Sequence, residues 1–138
     1  MTSLHFLDTN ILLYSISSDS TEAAKRDCAI ALLDRDGGAL SVQVLQEFYV
    51  QATRPTRADP LLHEIAAGLI DSWLRFAVQD VNTAILKLAL EIKSRYGFSY
   101  WDSAIIASAR ALGCRELYSE DMTHGREVEG TVIINPFR

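Results

Sequence analysis

SYWDSAIIASARALGCRELY, residues 99–118, reads as a helix, a glycine and a strand. Ala104, Ile105, Ile106, Ala107, Ala109, Ala111 and Leu112 make the helix apolar on most of its faces, which places it inside a domain. Gly113 ends it, as glycine commonly does beyond a helix C-terminus, and Glu116–Tyr118 follows as a strand. Asp102 stands in the first turn beside Tyr100 and Trp101. A carboxylate at the mouth of a buried helix needs a partner or a task.

The same alternation runs outward along the chain. Leu4–Leu7 is a short apolar run that suits a strand, followed by a helix over Thr9–Ile16. A helix over Thr21–Arg35, capped by Ser20 or Thr21, closes at Gly37-Gly38. A second strand spans Ala39–Val42. Helices over Gln43–Thr53 and Leu61–Arg75 flank the breaker that contains Pro55 and Pro60. Phe76–Gln79 is a third strand. Asn82–Arg95 places Ile85, Leu88, Ala89 and Ile92 on one helical face and ends at Gly97. The helix over Trp101–Leu112 and the strand over Glu116–Tyr118 come next, and Thr131–Ile134 is a fifth strand. Strands separated by helices imply an α/β fold, with about five short parallel strands and helices on both faces.

Length and composition agree with one domain over residues 1–138: the hydrophobic fraction of 49% supports a core without a metal or disulfide staple. No apolar run approaches a membrane span, and the N-terminus lacks the basic start and apolar stretch of a signal peptide. Cys28 and Cys114 form no CxxC pair, which suits reduced thiols and a cytoplasmic location. The net charge of −5 offers no general electrostatic attraction for nucleic acid, so any such contact rests on local distribution.

In an open parallel sheet, sites form beyond the carboxyl ends of the strands. Asp8 follows the first strand directly, and Asp121 follows the fourth by a short step. Glu47 lies in the second turn after strand two, among Val44, Leu45 and Phe48; Asp102 opens the helix leading into strand four. Each acid also has an ordinary structural reading. Asp8 caps a helix, Asp102 completes a capping box with Ser99, Asp121 is a turn acid beside Glu120, and Glu47 faces solvent. Together in one crevice they would repel one another unless a cation were present. Hard oxygen donors without a His or Cys cluster suit Mg²⁺ or Mn²⁺.

FLDTNILLY, SVQVLQE, YWDSAIIASA, LYSEDMTHG and VIINPF, in that order, resemble the PIN-domain family, and specifically the VapC-type toxins of bacterial toxin–antitoxin pairs. The resemblance covers essentially the whole chain. It implies a single PIN-like nuclease domain that hydrolyses RNA to a 5′-phosphate and a 3′-hydroxyl and so inhibits translation. The family's acids fall on Asp8, Glu47, Asp102 and Asp121. The hydroxyl residues that often accompany them fall on Thr9, Ser41 and Ser103. It further implies a cognate VapB-type antitoxin, homodimerisation and an RNA substrate, with transfer RNA among the candidates. On this reading an antitoxin segment fills the acidic groove, with an arginine paired to the carboxylates. Asp8, Asp102 and Asp121 hold the principal ion, and Glu47 binds a second ion or orients the attacking water.

A phosphatase with an acidic metal site and a non-catalytic interaction domain are the alternatives. A dehalogenase-like phosphatase wants a second Asp where Asn10 stands, and a receiver domain wants a lysine after strand four, where none occurs. An interaction domain that merely kept the fold would have lost acids. Arg54, Arg57, Lys93, Arg95 and Arg126 are candidate phosphate contacts, although a solvated face is the commoner fate of such residues. The area of Trp101 favours a core position; exposed, Trp101 or Tyr100 would offer a stacking face to a splayed base. His5, His63 and His124 have no ligand-like spacing. Ile65, Leu69 and Trp73, with Val44, Leu45 and Phe48, form stripes for the core or a dimer surface.

Overall fold

The computed structural model describes residues 3–138. The elements follow in the order β1 (His5–Leu7), α1 (Thr9–Ser15), a single 3₁₀ turn (Ser20–Glu22), α2 (Ala23–Asp34), β2 (Gly38–Ser41), α3 (Val42–Ala52), α4 (His63–Trp73) and β3 (Ala77–Gln79). They continue with α5 (Thr83–Tyr96), α6 (Tyr100–Ala111), β4 (Glu116–Tyr118), β5 (Glu127–Val128) and β6 (Thr131–Ile134). The six strands form one sheet in the order β3-β2-β1-β4-β6-β5. All neighbours are parallel except β5 and β6.

The expected α/β architecture is therefore present, with one strand more than the five expected. β5 pairs antiparallel with β6 through a two-residue turn, Glu129-Gly130, in which both residues have positive φ (48° and 98°). Such turns match the twist of a hairpin. Two further expectations change at helix ends. Asp19, not Ser20 or Thr21, caps the turn that leads into α2, its side chain accepting from the Thr21 N–H. Gly38 opens β2 instead of closing α2; a Cβ there would lie 2.9 Å from the Phe76 ring, so the close approach of β2 to Phe76 requires glycine.

Elsewhere the caps are those the sequence encodes. Asn82 accepts from the Ile85 N–H at the start of α5, and Gly97, at φ 79°, ends that helix in the left-handed conformation. The helices pack as α1 with α2 and α3, and α5 with α6, while α6 lies against β2, β3, β4 and β6. Phe6, Leu7, Ile11, Leu40, Phe48, Ile106, Leu117 and Ile133 are fully buried between them. Val44, Leu45, Phe48 and Trp73 join the core, whereas Ile65 is exposed. Among the described residues no helix is long and apolar enough to cross a membrane.

The strand order places the site. From β1 the chain moves to β2 and β3 on one side and returns to β4 on the other, with Leu7 opposite Tyr118. A crevice opens where the order reverses, beyond the carboxyl ends of the two strands.

Candidate active site

Asp8 leaves the end of β1 and is held there from three sides. Its backbone N–H donates to the Tyr118 carbonyl at the end of β4, 3.0 Å away. Its Oδ1 accepts the Thr9 N–H at 2.7 Å, and its Oδ2 accepts the Ser119 hydroxyl at 2.7 Å. The cap reading is thus met: Asp8 is the N-cap of α1. Burial pushes the Asp8 carboxyl up to about 6; the bonds from Ser119 and Thr9 oppose this, and the charges of Glu47 and Asp102 add to it.

Glu47 projects from the second turn of α3. Gln43, one turn earlier, donates to its Oε1 at 2.8 Å, and Thr9 donates to its Oε2 at 3.4 Å. Asp102 stands in the first turn of α6, where its N–H donates to Ser99 Oγ at 3.2 Å. Burial raises the Asp102 carboxyl above the ordinary range, Ser99 opposes the rise, and the charge of Asp121 adds to it. Asp121 follows β4; Asn10 donates to its Oδ2 at 3.3 Å, and its own N–H donates to Ser119 Oγ at 3.3 Å.

These four acids line one cleft of about 120 Å³, with Thr9, Asn10, Gln51 and Trp101 on its walls. No Lys, Arg or His lines it among the described residues. Glu120 turns away: its carboxylate takes Lys25 Nζ at 2.6 Å and the Tyr14 hydroxyl at 2.5 Å. Of the three candidate hydroxyl residues, only Thr9 reaches the cleft. Ser41 is spent as the N-cap of α3, accepting from the Val44 N–H, and Ser103 is fully buried with no partner for its hydroxyl among the described residues.

Three supporting side chains lay outside the sequence reading: Asn10, Ser119 and Gln43. Asn10 and Ser119 sit inside the LDTN and YSED stretches, adjacent to the acids they hold, so their position was the available signal. Gln43 lies four residues before Glu47, the spacing of neighbours on one helical face. Trp101 departs from the core position that its area favours. It is 66% exposed at the rim of the cleft, not in the core.

The cations sort by partner. Arg95 pairs with Glu129 at 2.7 Å, and Arg126 donates to the Tyr96 carbonyl at 2.7 Å while lying over the Phe98 ring. Arg57 instead borders a pocket that shares Asn10, Leu13 and Asp121 with the cleft. His5 bonds to the Leu32 carbonyl, His63 to Tyr49, and His124 accepts the Asn135 N–H.

The donor chemistry of the cleft fits a hard divalent cation: four carboxylates that repel one another, with no soft ligand on the walls. Among the described residues no three His, Cys, Asp or Glu side chains are already gathered into a metal cage. The acids line the cleft without being drawn onto a common centre.

The profile of the PIN domain family matches residues 5–126 of the chain. No curated protein matches the sequence. Similar solved structures include a toxin–antitoxin complex from Klebsiella pneumoniae, with a TM-score of 0.70 and 18% identity over 96% of this chain and 97% of that one. The sarcin-ricin loop cleaving toxin VapC20 of Mycobacterium tuberculosis has a TM-score of 0.64 and 20% identity over 82% of this chain and 86% of its own. DNA-bound VapBC from Salmonella typhimurium has a TM-score of 0.62 and 19% identity over 96% and 97% of the two chains. At these identities the likeness is one of fold.

Proposed function

The chain belongs to the PIN domain family, and from that premise we propose that it is a metal-dependent endoribonuclease, the toxin of a VapBC-type pair. PIN domains are nucleases that generally use divalent metal ions. The observation that carries the proposal is the cleft itself: acids from the end of β1, from α3, from α6 and from beyond β4 meet on one wall-to-wall surface.

Bound there, Mg²⁺ or Mn²⁺ supplies charge neutralisation for the phosphate and a water of lowered pKa. Asp8, Asp102 and Asp121 are the side chains to hold it. Asp8 is aimed by Ser119 and Thr9, and Asp121 by Asn10. Glu47, fixed by Gln43, orients the attacking water or takes a second ion. Thr9 couples Asp8 to Glu47, its N–H donating to the first and its hydroxyl to the second. Ser41 supports the site indirectly, by capping α3, the helix that carries Glu47, and Ser103 is the buried residue that follows Asp102 in α6.

The whole chain, residues 1–138, acts on this reading as one nuclease domain in the cytoplasm. It cleaves RNA, with transfer RNA among the candidate targets, inhibits translation, and pairs as a homodimer with a VapB-type antitoxin. The toxin–antitoxin complexes of the same fold support that partner. Induced expression of the wild-type chain in a bacterial host is expected to arrest growth and to leave RNA fragments with 5′-phosphates, while Asp8→Asn does neither. Growth arrest by both proteins to the same degree would remove the acidic cleft from the function.

A further inference from the structure

Trp101 occupies an unusual place for so large an apolar side chain. It is 66% exposed, next to Asp102, and its ring is held by Tyr100 edge-on at 5.0 Å between centroids. Its backbone carbonyl accepts the Gln43 side-chain N–H at 3.3 Å, which ties the first turn of α6 to α3. The indole lines the acid cleft and also a neighbouring pocket of about 360 Å³, shared with Gln43, Gln46 and Glu47. The two spaces are joined through Glu47 and Trp101.

The geometry points to a nucleobase subsite in this second pocket: Trp101 stacks the base of a nucleotide flanking the scissile phosphate, and Gln46 hydrogen-bonds its edge. The inference rests on the RNA-nuclease reading above and deepens it. Charge decides which part of the substrate faces this wall. The chain carries a net charge of −5, and the pocket is lined by an acid, two amides and an indole, with no cation among the described residues to take a phosphate. A π-face binds a base irrespective of that charge.

The amide nitrogen of Gln43 is committed to Glu47 and to the Trp101 carbonyl, whereas Gln46 is exposed beside it. Gln46 therefore carries a donor and an acceptor to offer a base edge. On the far side of Asp121 the adjoining pocket holds Arg57 beside Glu22 and Glu120, the latter already paired with Lys25, so Arg57 is the one lining cation there for a phosphate among the described residues. The strand crosses the acids with its backbone toward Arg57 and a base turned toward Trp101. A base is free to turn only when unpaired, so the substrate class is single-stranded or looped RNA rather than duplex.

The test uses the full chain and a short single-stranded oligoribonucleotide. Binding is read with the cleavage-deficient Asp8→Asn protein by tryptophan fluorescence. Trp73 is 5% exposed, so acrylamide quenching reports mainly on Trp101, and Trp101→Phe supplies the blank. The oligonucleotide is expected to quench Trp101 and shield it from acrylamide. The same strand annealed to its complement, or an abasic ribose-phosphate strand, is expected to do neither.

In steady-state cleavage, Trp101→Ala is expected to raise KM roughly 10- to 100-fold with kcat little changed, since a stack is made equally in ground and transition states. Trp101→Phe should recover most of the loss. Gln46→Ala should alter base preference more than overall rate. An unchanged KM in Trp101→Ala, or equal shielding by the abasic strand, overturns the subsite. So does a Trp101 already shielded without RNA, which would assign the face to a second copy of the chain. If the wild type fails to cleave any RNA but its Trp101 is shielded by single strands alone, the nuclease reading fails while the base subsite stands.

Discussion

Ser119, the first residue after β4, donates its hydroxyl to Oδ2 of Asp8, the first residue after β1, across 2.7 Å. The bond joins the carboxyl ends of the two strands between which the sheet order reverses. It supplies one of the two donors that face the most buried acid of the cleft, and it pulls against the burial that raises that acid. Removing it in Ser119→Ala should therefore push Asp8 further up. Cleavage should fall several-fold near pH 6.5 and recover at higher pH, with the acid limb of the pH–rate profile displaced upward. Loss of a buried partner of this kind costs about 1–3 kcal/mol. An unmoved acid limb would separate Ser119 from the chemistry.

Asp8 also governs how the metal-free protein responds to pH. Its carboxyl is raised from 3.8 to about 6 in the folded state, so the folded chain holds that proton more tightly than the unfolded chain does. The stability associated with the neutral form is fully present below about pH 4 and is lost as pH rises through about 6. The loss amounts to about 3 kcal/mol at neutral pH at most, from 1.36 kcal/mol per unit. Asp8→Asn should flatten this part of the pH–stability curve and make the metal-free protein more stable than wild type at pH 7.5. Urea unfolding in EDTA at several pH values measures it.

Divalent cations should reverse the same penalty. At a concentration 100 times Kd, Mg²⁺ or Mn²⁺ is expected to stabilise the wild type by about 2.7 kcal/mol. The gain should shrink at pH 5, where protons compete for Asp8, and should be largely lost in Asp121→Asn. Thermal unfolding with and without chelator reads all three effects.

Glu120 and Asp121 separate sharply despite being neighbours. Glu120 is bound to Lys25 and Tyr14, and Asp121 lines the cleft. Glu120→Gln should keep cleavage within a few-fold of wild type and cost about 1 kcal/mol or less, as partly exposed ion pairs do. Asp121→Asn should lower cleavage at least about 100-fold, the range for a group that places charge at the reacting phosphate. Equal losses in both variants would reject this division of roles.

Much of this arrangement was legible in the sequence, because local chemistry encodes it. Asn82 and Gly97 bound α5 as their types demand, and the apolar run after Ser103 is buried as its composition requires. Asp8 and Asp121 could be placed from strand ends alone, since β1 and β4 are short and bounded by polar residues. The β5–β6 hairpin was not legible. Its turn is Glu129-Gly130, and a glutamate at positive φ is an uncommon choice, stabilised here by Arg95 and Arg110 contacts that are distant in sequence. Trp101 misled because side-chain area says what burial would gain, not whether the first turn of a helix reaches the interior. The buried run of α6 starts two residues later, at Ser103.

The most direct test is a denaturing-gel cleavage assay on a structured RNA pool. It compares antitoxin-free wild type, Asp102→Asn and EDTA-treated wild type, each with Mg²⁺ or Mn²⁺ restored to matched samples. The account predicts cleavage by wild type, its loss with chelator, its return with metal, and none by Asp102→Asn. Equal cleavage by wild type and Asp102→Asn, or cleavage indifferent to chelator, would contradict it.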